Sequence, residues 1–174
     1  MLLHRLFSFA VPVLISSFFF IAWDVHAQSV APQSKSKKAD EFPDSWAAFK
    51  ASRNPEDKRL VVAIEKMKWW DVCRDWGYES RKKGESRRHA ALREFLLVDN
   101  RINGTDLMNV QEKRVAVGMT SCGVVASLGM PDTTNYTTTA SRTRAQMVYR
   151  TKRFYVYTEA SANDGNGIVT SIQH

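Results

Sequence analysis

Residues 115–132 read VAVGMTSCGVVASLGMPD, and their order of signals decides the fold class. A β-like approach ends at Thr120, whose hydroxyl can accept a hydrogen bond from a first-turn amide and so cap a helix. Val124, Val125 and Leu128 follow at spacings of three and four, the period of an amphipathic helix, and Gly129 with Pro131 stops it. A short capped helix entered from extended chain belongs to a small mixed α+β scaffold. No catalytic motif accompanies it: Gly118, Gly123 and Gly129 fall at turn and helix positions and form neither GxGxxG nor a P-loop.

Downstream the period changes from helical to alternating. Asn135 to Thr139 reads as a first strand or as a loop leading into a strand over Arg144 to Tyr149. The turn-forming run Asn163-Asp164-Gly165-Asn166-Gly167 predicts a hairpin in which Lys152–Thr158 pairs antiparallel with Ile168–Gln173. Phe154, Val156 and Thr158 share one face of that strand, while Tyr155 and Tyr157 share the other. The expectation is that N-terminal helices cover the tyrosine face.

Gly118-Met119-Thr120, Val124 and Leu128-Gly129-Met130-Pro131, followed by Gln146-Met147-Val148-Tyr149 and Gly167-Ile168-Val169, resemble the signature of the SmpA/OmlA family, the BamE-like small proteins of the bacterial outer envelope. The likeness spans about residues 105–173. It implies two short helices packed on one face of a small antiparallel sheet, and action by protein contact in envelope assembly. Family members at the outer membrane are usually lipoproteins with a Cys after the cleavage point; Val25-His26-Ala27-Gln28 has none, so no lipid anchor is expected.

The chain begins as an exported one does. His4 and Arg5 precede an apolar run from Leu6 to Trp23, and Val25-His26-Ala27 is a small-x-small cleavage site. Residues 1–27 therefore read as a signal peptide and place the protein in the periplasm or outside the cell. The alternative is a retained anchor, because the run has about the 18 residues a spanning helix requires. Residues 28–40, rich in Ser, Lys and Pro, read as a disordered linker. Without the leader, 147 of the 174 residues remain, enough for one small core.

Residues 41–104 read as a helical segment ahead of an SmpA/OmlA-like domain at 105–174. Phe42–Phe49 gives a short helical turn. Asn54-Pro55-Glu56-Asp57 starts a helix with an Asn cap, Pro at its first position and acids in its first turn. Leu60, Ile64, Met67 and Val72 carry the pattern as one helix to about Tyr78, weakened near its end by Gly77. A second helix over about Ser86–Asn100 turns Ala90, Leu92, Phe95, Leu96 and Val98 inward. Trp69, Trp70, Trp76 and Tyr78 suit packing, with sugar stacking as the alternative.

The formal charge of +7 favours acidic partners, and export makes nucleic acid the least expected of them. Arg81, Lys82, Lys83, Arg87 and Arg88 are the candidate anion-binding cluster, against lipid headgroups or glycan phosphate. A second concentration of cations comprises Arg142, Arg144, Arg150, Lys152 and Arg153. The chain's two cysteines, Cys73 and Cys122, read as a disulfide closing a loop of about fifty residues, worth ~4 kcal/mol in the chain-entropy model. The sharper alternative makes Cys122 a reactive thiol at a helix N-terminus.

After the leader only His89 and His174 remain, and no HExxH or Cys–His metal spacing occurs, so neither a metal nor another cofactor is expected. Asn103-Gly104-Thr105 and Asn135-Tyr136-Thr137 match the glycosylation acceptor pattern, tripeptides that arise often by chance. Three functions stay open: a non-catalytic envelope protein acting by protein contact, a binder of anionic lipid or glycan phosphate, and a thiol-dependent enzyme using Cys122.

Overall fold

The computed structural model describes residues 42–161 and 164–174. The expected signal peptide and linker lie outside the described residues. From Phe42 onward the described chain belongs to one compact unit of six helices followed by four strands.

The helices are α1 (Trp46–Ala51), α2 (Pro55–Glu65), α3 (Trp69–Glu79), α4 (Arg87–Val98), α5 (Gly104–Asn109) and α6 (Ser121–Leu128). Most begin at a local cap: the side chains of Ser45, Asn54, Ser86, Asn103 and Thr120 each accept a first-turn amide. The single helix expected from Asn54 to Tyr78 is instead two, α2 and α3, broken at Lys66–Lys68. Lys68 opens α3 without a side-chain cap, so nothing local marks the break. The apolar positions Val61, Ile64, Val72 and Trp76, all buried, satisfy a helical period across it. The break also brings Trp69 and Trp70 into a stack with centroids 3.6 Å apart. In α4, Val98 is 64 % exposed rather than inward-facing; Ala90, Ala91, Leu92 and Leu96 fill the core.

Strands β1 (Thr133–Thr138), β2 (Arg142–Tyr149), β3 (Phe154–Ser161) and β4 (Ile168–Gln173) form an antiparallel meander in sequence order. The hairpin forms, but its first strand starts at Phe154 because Lys152 lies in a 3-10 turn and Arg153 takes φ +50°; residues 133–138 are a strand, not a loop. Residues 115–117 are not a strand. That approach is irregular chain which lies along β4, with the Gly118 amide on Val169 O at 2.9 Å and the Val169 amide on Met119 O at 2.7 Å.

Register places Met147 beside Val156, with Val169 on the same face, and all three join the core with α6. The helices therefore cover the valine face, because it carries the apolar row. The opposite face, with Tyr155 and Tyr157, stays open, and Tyr155 is 37 % exposed. The expected helical cover over the tyrosines is absent for that reason.

Cys73 of α3 and Cys122 of α6 are joined by a disulfide, Cα to Cα 5.3 Å. Beside it α3 and α6 pack closely enough that a Cβ on Gly77 would collide with the Ala126 carbonyl. Gly77 is therefore a packing residue inside α3, not a weak end.

Candidate functional site

The family-like motif residues converge on the two ends of α6. Gly118 and Met119 lie in the segment along β4, and Met119 is fully buried. Thr120 caps α6 through the Gly123 amide at 2.9 Å and donates its hydroxyl proton to Arg101 O at 2.8 Å. Val124 is core, and Gly129, with φ +87°, closes the helix before Pro131.

Two residues absent from the sequence-based site list hold this arrangement. Asp106, fully buried, accepts the amides of Asn103 at 2.8 Å and Thr120 at 2.9 Å. It lies so near Gly123 that a Cβ there would strike its carboxylate. Burial raises the Asp106 pKa to about 6, against the opposing pull of those hydrogen bonds. Asn166, from the hairpin turn, accepts the Cys122 amide at 3.1 Å and donates to Arg101 O at 2.9 Å. The Asn103-x-x-Asp106 spacing is a capping-box signal that could have revealed the first. Nothing local distinguishes Asn166 from an ordinary turn residue. Asn103, read in the glycosylation pattern, spends its side chain on the cap and on Gly118 O.

The cluster Arg81–Arg88 is brought together at the α3–α4 bend, but most of it is engaged by the protein itself. Arg81 donates to Ala126 O at 2.9 Å. Lys82 pairs with Glu79 at 2.6 Å and Arg88 with Asp75 at 2.7 Å. Arg87 pairs with the buried Asp57 at 2.8 Å, tying α4 to α2. Burial works to raise the Glu79 pKa, but hydrogen bonds from Lys82 and Ser86 and the nearby cations leave it lowered overall. Lys83 is exposed. In the second concentration, Arg142 and Arg144 both bind Glu159, at 2.5 and 3.1 Å. Arg150, Lys152 and Arg153 are exposed, and the Arg150 backbone amide donates to Asp132 Oδ2 at 2.6 Å. Lys152 donates to Leu128 O.

Both cysteines are consumed by the disulfide, so no free thiol is left for the Cys122 reading. The nearest approach to a nucleophile–base–acid row is Ser80, His89 and Glu85. Ser80 Oγ lies 3.1 Å from His89 Nε2, and His89 Nδ1 lies 3.5 Å from Glu85. Ser80 Oγ donates to Trp76 O at 2.7 Å and also lies on His89 Nε2, where the tautomer of the ring sets which atom donates. Burial lowers the His89 pKa, while the Glu85 carboxylate beside Nδ1 pulls it up. In this arrangement Ser80 closes the end of α3. Among the described residues no group of three or more His, Cys, Asp or Glu could hold a metal ion.

The open sheet face carries a different kind of order. Asn135 Nδ2 donates to Gln146 Oε1 at 3.0 Å, Gln146 Nε2 donates to Tyr157 Oη at 2.8 Å, and Tyr157 Oη donates to Gln173 Oε1 at 3.0 Å. One residue from each strand contributes, so a single directed row crosses the whole sheet. A shallow hollow of about 490 Å³ beside it is bordered by Thr137, Arg144, Gln146, Tyr157 and Ser171.

The fold and this face define a disulfide-closed α+β protein with helices on one side of a four-stranded meander and a polar aromatic platform on the other. Comparison with family models, with characterised proteins and with solved structures finds no match to this chain.

Proposed function

We propose that this is an exported, non-catalytic contact protein that recognises another envelope protein through its open sheet face. The observation that carries the reading is the row Asn135–Gln146–Tyr157–Gln173 on the face left bare by the helices. Side chains already fixed by one another lose little conformational entropy when a partner lands on them. Tyr is enriched in protein interfaces, and the charges nearby are largely matched, with Arg142 and Arg144 sharing Glu159. The leader-like start, the disulfide and the SmpA/OmlA-like motif set support the envelope as the place of action.

The test is photocrosslinking in intact cells from Thr137, Tyr155 and Ser171, with Lys58 and Lys66 on the helical side as controls. One envelope protein captured from the sheet positions alone is the expected result. Equal capture from both sides, or none from the sheet, refutes the reading.

A second reading, contact with anionic lipid or glycan phosphate, is favoured by Arg150, Lys152 and Arg153. These three exposed cations at one turn can add about 1 kcal/mol each at an anionic surface. Membrane binding that disappears between low and high salt supports it.

A further inference from the structure

Strand β1 forms one border of the sheet, and nothing in its sequence guards that edge. Its register against β2 runs unbroken from Thr133 to Thr138. The strand reads TTNYTT, without charge or proline and rich in residues that favour extended chain. Edges of this kind are normally blunted by Lys, Pro or a bulge, because their free backbone groups pair with any strand that arrives. The opposite border is treated differently. There the segment ahead of α6 lies along β4, with the Gly118 amide on Val169 O and the Val169 amide on Met119 O.

The hydrogen-bond phase fixes which groups of β1 are free. The Thr139 amide donates to Arg142 O at 2.8 Å, so in an antiparallel ladder of this register the odd-numbered residues turn their amides and carbonyls toward β2. Those of Thr134, Tyr136 and Thr138 point outward. Tyr136, at the centre of the three, is 59 % exposed.

The symmetry of that set selects the occupant. A two-fold axis at Tyr136 places it opposite Tyr136 of a second copy and places Thr134 opposite Thr138, each facing pair exchanging two hydrogen bonds. Aromatic pairs and Thr–Thr pairs are among those that stabilise facing strands. On the open face the same axis sets the Asn135 amide opposite the Thr137 hydroxyl, an acceptor against a donor. Because β1 carries no charge, no like charges meet along the seam.

We propose that β1 pairs antiparallel with β1 of a second copy of this chain, joining two meanders into one sheet through a seam centred on Tyr136. The pairing is isologous, so it consumes the bare edge of both copies and closes at two. It adds strands at the border of the sheet and leaves the open face bare, and so does not rest on the contact reading above. A seam one strand long is at the small end of protein interfaces, and the dimer dissociates on dilution.

Sedimentation velocity of protein purified from cells expressing the full sequence, from low micromolar to near-millimolar concentration, is the test. A monomer–dimer equilibrium is expected, and it strengthens as salt rises, because screening relieves the repulsion between two chains of charge +7. Tyr136→Lys, at an exposed position, sets like charges opposite one another and weakens association about tenfold or more. Facing Cα atoms in such a pair lie about 5.5 Å apart, within the span of a disulfide, so mild oxidation links Tyr136→Cys to itself about tenfold faster than Val62→Cys on α2, where the native residue is 51 % exposed. Association that survives Tyr136→Lys or weakens with salt overturns the proposal, as does equal trapping at the two cysteines. A monomer at every concentration also overturns it, and capture of a different protein by a photocrosslinker at Tyr136 would then assign the edge to a foreign strand.

Discussion

Helix α6 and the β1–β2 hairpin are neighbours in sequence built on opposite plans. In α6 every residue from Ser121 to Ser127 is buried. Its start is held by Thr120, Asn166 and the Cys73–Cys122 disulfide, and near its end the Ala126 carbonyl is taken by Arg81. In β1 four of six residues are exposed, and the hairpin is joined by polar pairs such as Asn135–Gln146 and Thr138–Thr143. A segment buried along almost its whole length, with the Ser127 hydroxyl left unpartnered but sealed inside, has nothing at the surface to offer a partner. The hairpin and its continuation across β3 and β4 keep their polar groups at the surface, which is where recognition can occur.

The strongest way to break that contrast is to remove the disulfide. Cys73 and Cys122 are 49 residues apart, and opening that loop in the unfolded chain costs about 4 kcal/mol of stability in the entropy model. The double variant Cys73→Ala/Cys122→Ala should show this as a lower urea midpoint than the oxidised protein, with the same midpoint after reduction of the wild type. Coincident midpoints for oxidised and reduced protein would mean that α6 does not depend on its bridge. Next in size is Gly77→Val, which drives a side chain into the Ala126 backbone. Overpacking of this kind costs about 3 kcal/mol. On the hairpin, Thr137→Val should change stability by less than about 0.5 kcal/mol. A large loss there would erase the distinction between the two regions.

Asp106 supplies a contrast that depends on pH. Its folded pKa of about 6 lies above the ordinary carboxylate value because of burial. The native chain therefore binds this proton more tightly than the unfolded chain. The group's stabilising contribution is complete below about pH 4 and is lost as pH rises through about 6, by roughly 2–3 kcal/mol. Asp106→Asn removes that titration, but an NH2 then replaces one of the two oxygens, Oδ1 and Oδ2, that accept from Thr120 and Asn103. The variant should be less stable than wild type by about 2 kcal/mol at pH 4, and the gap should narrow toward pH 7. Denaturation midpoints at pH 4, 5.5 and 7 check this; a gap that widens with pH would reverse the sign assigned to Asp106.

The parts of this molecule legible in its sequence are those governed by local rules. Asn54 before Pro55, Thr120 before Ser121 and Gly129 before Pro131 mark helix ends by chemistry within a few residues. The glycine- and asparagine-rich turn sets the β3–β4 hairpin in the same way. The break between α2 and α3 escaped because Lys68 has no capping side chain and the apolar period runs through it. The fate of Arg81, Lys82, Arg87 and Arg88 escaped because their partners, Ala126, Glu79, Asp57 and Asp75, are assigned by tertiary packing. The open-face row was invisible for a related reason. Asn135, Gln146, Tyr157 and Gln173 become neighbours only through strand register, which no short window of sequence contains.

That row gives a small expected effect on stability and the most direct test of the contrast. Tyr157→Phe keeps the ring and removes the hydroxyl that accepts from Gln146 and donates to Gln173. Because Gln146 is only half-buried and Gln173 is exposed, water can replace the lost partner, and stability should fall by no more than about 1 kcal/mol. Partner capture from the sheet face should fall much further, since freeing two amide side chains returns the entropy cost that the row had removed in advance. Gln146→Ala should act the same way, whereas Thr120→Ala, deep in the α6 network, should lower stability while leaving capture per folded molecule unchanged. Crosslink yield normalised to folded protein separates these cases. Equal yields for Tyr157→Phe and wild type would make the row a device for holding strands together, with recognition seated elsewhere on the molecule.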